Sequence, residues 1–149
     1  MENELLIPTI LVIALTGLCV YGMISKKLIL MRWGLFIWAL IAISANLGEF
    51  FVNAASTMVV ISFMCQAILT APFWGEPFDS SNKAAYLAAK RLILILVTIN
   101  IFFCAIGFVE MDWGSDQPTS IPIHVCHGIV AVIGLVMFLR FMSGAVEVK

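Results

Sequence analysis

The sequence predicts an all-α integral membrane protein with five transmembrane helices, N-terminus outside and C-terminus inside, forming one domain over residues 1–149. Three observations predict this. Hydrophobic residues make up 62% of the chain, charged residues 11%, and the mean hydropathy is +1.09, whereas a soluble domain is about 45–50% apolar and about 25% charged. Five apolar runs approach the ~20 residues that cross ~30 Å of hydrocarbon. The basic residues gather on one side of the arrangement those runs impose. A soluble globular enzyme and a disordered tail are excluded. So is a nucleic-acid binder, because a net charge of −1 supplies no basic field.

The first run, residues 5–24, follows Met1-Glu2-Asn3-Glu4. It lacks a positive n-region and a small-residue cleavage site, so it is expected to remain as a helix. The second, 29–50, is bracketed by Arg32 and Glu49 at opposite ends. The third, 56–73, is the shortest and ends at Pro72. Residues 83–91 are strong helix formers leading into the fourth run, 88–109, so one long helix is expected from about 82 to 109, capped by Ser80 or Ser81. Trp74, Phe78 and Tyr86 are expected at headgroup level. An acidic turn, Trp113 to Pro118, precedes the fifth run, 121–142.

Orientation follows from the cations. With five spans, all eight basic residues (Lys26, Lys27, Arg32, Lys83, Lys90, Arg91, Arg140, Lys149) fall on one side or at its boundary. Six of the nine acids fall on the other. The positive-inside rule makes the basic side cytoplasmic or its equivalent. Without the third run the cations would scatter over both faces. The expected location is therefore a plasma or energy-coupling membrane, crossed several times.

Ionisable groups near a bilayer centre are costly and usually functional. No ionisable group is expected at that depth, so the chain is not expected to pump protons alone. The polar residues read as buried are Ser44, Asn46, Ser62, Gln66, Thr98 and Asn100. Interhelical hydrogen bonding is their ordinary role, at about 0.6 kcal/mol per pair; a polar path through Gln66 and Asn100 is the functional alternative. Glu49 reads as a carboxylate at the outer headgroups, or as the mouth of an ion path in a larger complex. Lys26, Lys27 and Arg32 suit anionic lipid or acidic groups of a neighbouring subunit, at about 1 kcal/mol per charge for lipid. Ala105, Gly107, Gly128, Ala131 and Gly134 suit close helix packing with partners.

His124 and His127 are the only histidines, three positions apart on one helix after Pro122. They read as interface or subunit contacts within about two turns of the outer surface. The alternatives are contact with a quinone or haem, although clamping a haem between two helices requires histidines on both, and a metal site whose other ligands would come from distant acids or another chain. The run His124-Val125-Cys126-His127 is not the CxxCH haem-attachment signature. The four cysteines form no CxxC pair and read as small apolar residues, and no metal site is expected.

One hairpin adds a family resemblance. Gly17-Leu18-Cys19-Val20-Tyr21-Gly22 closes the first run, Lys26-Lys27 follow, and Arg32-Trp33-Gly34-Leu35 open the second. Over about residues 12–47 this resembles the K subunit of respiratory complex I and the C subunit of Mrp-type cation/proton antiporters. Small membrane subunits of energy-converting hydrogenases belong to the same superfamily. That family carries a Gly-x-x-x-Tyr-Gly-like helix end, a cytoplasmic basic pair and a second helix opening with Gly-Leu-Glu. Here Phe36 stands in place of the glutamate, and five runs replace the family's three spans. The resemblance implies a scaffold that has lost its proton-handling carboxylate.

The expectation is thus a small, non-catalytic membrane subunit of a multisubunit, redox-driven, ion-translocating complex, its partners being other membrane subunits and lipids. The alternatives are a quinone- or haem-contacting anchor using His124 or His127, and a free-standing structural or assembly protein. No P-loop, GxGxxG or nucleophile elbow is present.

Overall fold

In the computed structural model, which describes residues 2–25, 27–72, 83–109 and 121–142, the chain forms five α-helices. They are α1 (Glu2–Ile24), α2 (Leu28–Asn46), α3 (Ala54–Thr70), α4 (Lys83–Val109) and α5 (Ile121–Met142), with a 3-10 turn at Leu47–Glu49 after α2. Among the described residues, three helical segments are long and apolar enough to cross a membrane: Leu6–Ile24, Ile29–Glu49 and Ile121–Arg140. Ala54–Thr70 is apolar but shorter. The expected cap at Ser80 or Ser81, the headgroup placements of Trp74 and Phe78, Lys26, and the Trp113–Pro118 turn lie outside the described residues.

The helix ends have local causes. Ser25 N–H and Lys27 N–H donate back to the Tyr21 and Gly22 carbonyls, closing α1 into a short turn before α2. The α-helical part of α2 stops at Asn46, four residues short of the expected end, where the Asn46 amide donates to the Ala42 carbonyl (2.9 Å) and Gly48 follows. Asn53 caps α3: its Oδ1 accepts from the Ala55 and Ser56 amides at 2.8 and 3.4 Å. The third helix therefore starts two residues earlier than expected. It also ends three residues earlier, because Pro72 forces Ala71 into an extended conformation (φ −47°, ψ 116°) that cannot continue the helix.

The packed pairs are α1 with α2, α2 with α3, α3 with α4, α4 with α5, and α5 with α1. The helices form a closed ring in chain order. Consecutive helices are antiparallel, since Gly22 meets Met31 while Gly34 meets Cys19, and Phe103 meets His124 while Val97 meets Gly134. The glycines set the closeness of two seams. A Cβ on Gly22 would lie 2.6 Å from the Met31 backbone nitrogen, so only glycine admits this approach. A Cβ on Gly134 would lie 2.7 Å from Val97 Cγ2. The small residues expected to meet partners, Gly128, Ala131 and Gly134, thus lie inside the ring or on its α4 seam, whereas Ala105 is exposed.

The ring is filled by Trp38, Phe63, Phe103, Val130, Ile133 and Met137. The outer faces carry large apolar side chains such as Leu6, Ile13, Ile61, Ile101 and Val132. Apolar residues thus lie on both sides of the helices, which lipid as solvent permits.

Candidate functional site

Gln66 and Asn100 meet at the ring centre. Gln66 comes from α3, four residues before its end, and is 0% exposed; Asn100 comes from α4 and is 1% exposed. Asn100 Nδ2 donates to Gln66 Oε1 (3.3 Å) and to the Leu96 carbonyl (2.8 Å). Gln66 Nε2 donates onward to the Leu35 carbonyl of α2 (3.1 Å). With its nitrogen so engaged, Asn100 presents Oδ1 to His127 Nδ1, 2.9 Å away. A carbonyl oxygen only accepts, so His127 Nδ1 carries the proton. Every bond then points one way, from His127 through Asn100 and Gln66 to Leu35, and the chain draws on four of the five helices.

The other surroundings of His127 are aromatic. Its ring centroid lies 4.7 Å from that of Trp38, 5.3 Å from Phe103 and 5.7 Å from Phe63. Phe63 and Phe103 stack on each other at 5.2 Å. Aromatic pairs of this kind contribute about 0.5–1.5 kcal/mol beyond area burial. At 1.5 Å per residue, His127 lies about 5 Å along the axis from the midpoint of the segment Ile121–Arg140 and about 9 Å from its start. His127 thus keeps the expected depth, within about two turns of the helix start, but its ring is turned into the bundle against Asn100 and not outward to an interface or a neighbouring subunit.

His124 is also buried, one turn nearer the helix start. Its Nδ1 donates to the Phe103 carbonyl at 2.6 Å. Its Nε2 is the one buried side-chain polar atom among the described residues without a hydrogen-bond partner. With Nδ1 protonated, Nε2 keeps its lone pair. This is the arrangement found in ligating histidines, whose other nitrogen is held by a carbonyl.

The remaining singled-out residues separate by place. At one end of the bundle, Glu49 accepts a hydrogen bond from the buried Ser56 hydroxyl (2.9 Å), so its carboxylate ties the α2–α3 hairpin together. At the other end, the Arg32 guanidinium donates to the Ala71 carbonyl, capping the C-terminus of α3. This internal bond uses one Nη of Arg32, so the cation has a role within the bundle beside the expected lipid or subunit contact. Lys27 is exposed in the α1–α2 turn. Asn46 bonds within its own helix. Ser44 and Thr98, expected to be buried, are exposed, because their hydroxyls donate to the Ile41 and Leu94 carbonyls one turn back and need no partner helix.

Sequence reasoning missed Trp38, Phe63 and Phe103. Trp38 had a signal: tryptophan is enriched at membrane interfaces, and one in the middle of an apolar run marks a buried face. The four cysteines are free, and among the described residues no three His, Cys, Asp or Glu groups come together as metal ligands. Comparisons with family models, curated proteins and solved structures return no match.

Proposed function

We propose that the chain is a five-span membrane subunit, N-terminus outside and C-terminus inside, that scaffolds a multisubunit redox-driven ion-translocating complex. The observation that carries the scaffold reading is the one-directional chain His127–Asn100–Gln66–Leu35. It uses the mid-span polar groups within the bundle, fixes the rotation of four helices, and leaves apolar outer faces for lipid or neighbouring membrane subunits. The five-span arrangement is supported by the antiparallel ring, which gathers Lys27, Arg32, Lys90, Arg91 and Arg140 towards one end and Glu49 towards the other. The redox and ion-translocating context is supported by the hairpin resemblance, with Phe36 at the position of the missing glutamate.

Two experiments test this. An impermeant thiol reagent applied to Lys27→Cys and Val52→Cys variants in oriented vesicles labels them from opposite sides; labelling from the same side ends the five-span reading. Mass spectrometry after mild detergent extraction finds the chain bound to dehydrogenase- or hydrogenase-type subunits. A monomer without partners would favour the free-standing alternative.

A second reading is favoured by His124. A cofactor contact there, to a quinone oxygen or a haem iron, would use Nε2 while Phe103 holds the other nitrogen. His124→Leu then removes a spectral or inhibitor-sensitive signal from the purified complex; an unchanged signal removes this reading.

A further inference from the structure

A cavity of about 150 Å³ lies inside the ring on the Arg32 side of the polar chain. Leu35, Leu96, Val130, Ile133 and Met137 form its apolar wall. Its polar groups are Asn100, Thr70, Cys19 and Arg32, and they differ in what they have left to offer. Both Asn100 N–H groups and its oxygen are engaged. The Thr70 hydroxyl donates to the Gln66 carbonyl (2.7 Å), and the Cys19 thiol points to the Met31 carbonyl (3.6 Å). Arg32 has five N–H donors, and its recorded bond, to Ala71, uses one Nη. Arg32 is half-buried, whereas Thr70 and Asn100 are buried.

These facts decide what fits. A buried water needs two to four polar partners, and an apolar cavity near 150 Å³ stays dry and takes a single aromatic ring. The deep end near Asn100 offers acceptor lone pairs on Asn100 and Thr70 but no unengaged donor, so water held there is only partly bonded. The Arg32 end offers a cationic donor that favours an oxygen acceptor. An acyl chain of ordinary length exceeds the volume; one substituted six-membered ring does not. We propose that this cavity binds a one-ring, lipid-soluble molecule of the quinone class, its ring among Leu96, Val130 and Ile133 and one oxygen accepting from Arg32. The assignment stands apart from the subunit reading and from any contact at His124.

The test uses the full chain in detergent with three probes: tetramethyl-1,4-benzoquinone, its hydrocarbon counterpart 1,2,4,5-tetramethylbenzene, and laurate. The fully substituted quinone avoids addition to Cys19. The quinone binds saturably and raises the melting temperature, and the hydrocarbon binds about tenfold more weakly. Arg32→Met removes that tenfold advantage while leaving hydrocarbon binding in place, and Leu96→Phe, which fills the cavity, abolishes both. Equal binding of quinone and hydrocarbon overturns the role of Arg32. Tighter binding of laurate overturns the ring assignment, and saturable quinone binding that survives Leu96→Phe overturns the site. Should either variant fail to fold, photolabelling of the unmodified chain with an azidobenzoquinone decides: label on Met31, Leu69, Leu96 or Met137 supports the site, and label confined elsewhere overturns it.

Discussion

The α1 seam and the centre of the ring hold helices together by opposite means. On α1, Gly22 brings two backbones together, and Gly34 would place a Cβ 2.6 Å from Cys19 Sγ. Across the α1–α2 seam the Cys19 thiol makes only a long contact to the Met31 carbonyl. Between α1 and α5 lies an apolar groove lined by Ile13, Gly17, Val20 and Ile129. At the centre, amides, an imidazole and three aromatic rings meet with directional bonds and little tolerance for rotation. In lipid no hydrophobic force favours one helix contact over another, so close packing and hydrogen bonding divide the task. The contrast shows what each supplies: proximity on α1, rotational register at the centre.

The sharpest way to break this contrast is Asn100→Leu. It leaves the His127 N–H and Gln66 Oε1 without partners, at about 1–3 kcal/mol for each orphaned group, so a loss of about 2–6 kcal/mol is expected in detergent-titrated unfolding. Adding Gln66→Leu to that variant costs less than Gln66→Leu alone, because the partner is already gone; strict additivity would show that the chain does not act as a unit. Next comes Gly22→Ala, whose methyl meets the Met31 backbone. Overpacking of this kind costs about 1–3 kcal/mol, and the circular-dichroism melt shifts while the environment of Trp38 is unchanged. An altered Trp38 signal would mean that the two regions are coupled. The smallest expected effects come from two threonines that bond one turn back on their own helices. Thr70→Val, buried, costs about 0.5–1.5 kcal/mol, whereas Thr98→Val, exposed, stays within about 0.5 kcal/mol. Equal losses would show that burial does not set the cost.

The helices were readable because apolar runs leave few alternatives, and Pro72 and the run 88–109 mark an end and an interior in the sequence itself, whereas the cap at Asn53 went unread and the start of α3 was placed two residues late. Gln66 and Asn100 were readable as interior polar residues for the same reason. Their connection to His127 was not, since periodicity on one helix does not say which rotation faces a neighbour. The internal bond of Arg32 was not readable for a related reason. A cation at a span end suits lipid equally well, and its capping role depends on where Pro72 stops α3. Ser44 and Thr98 show the limit of polarity as a burial signal, because a hydroxyl that returns to its own helix is at ease facing lipid.

The closed ring also constrains biogenesis. Four of its seams join consecutive helices and can form as soon as each hairpin leaves the insertion machinery. The fifth, between α1 and α5, joins the first helix to the last and, by the alternation of the ring, joins them in parallel. During synthesis α1 therefore has α2 as its only ring neighbour until α5 arrives. The same late helix delivers His127 to an Asn100 that has been waiting with one oxygen unmatched. Closure and polar satisfaction thus arrive together, and a nascent chain stalled before α5 holds both an open flank and an unsatisfied amide, two features by which membrane quality control recognises an unfinished product.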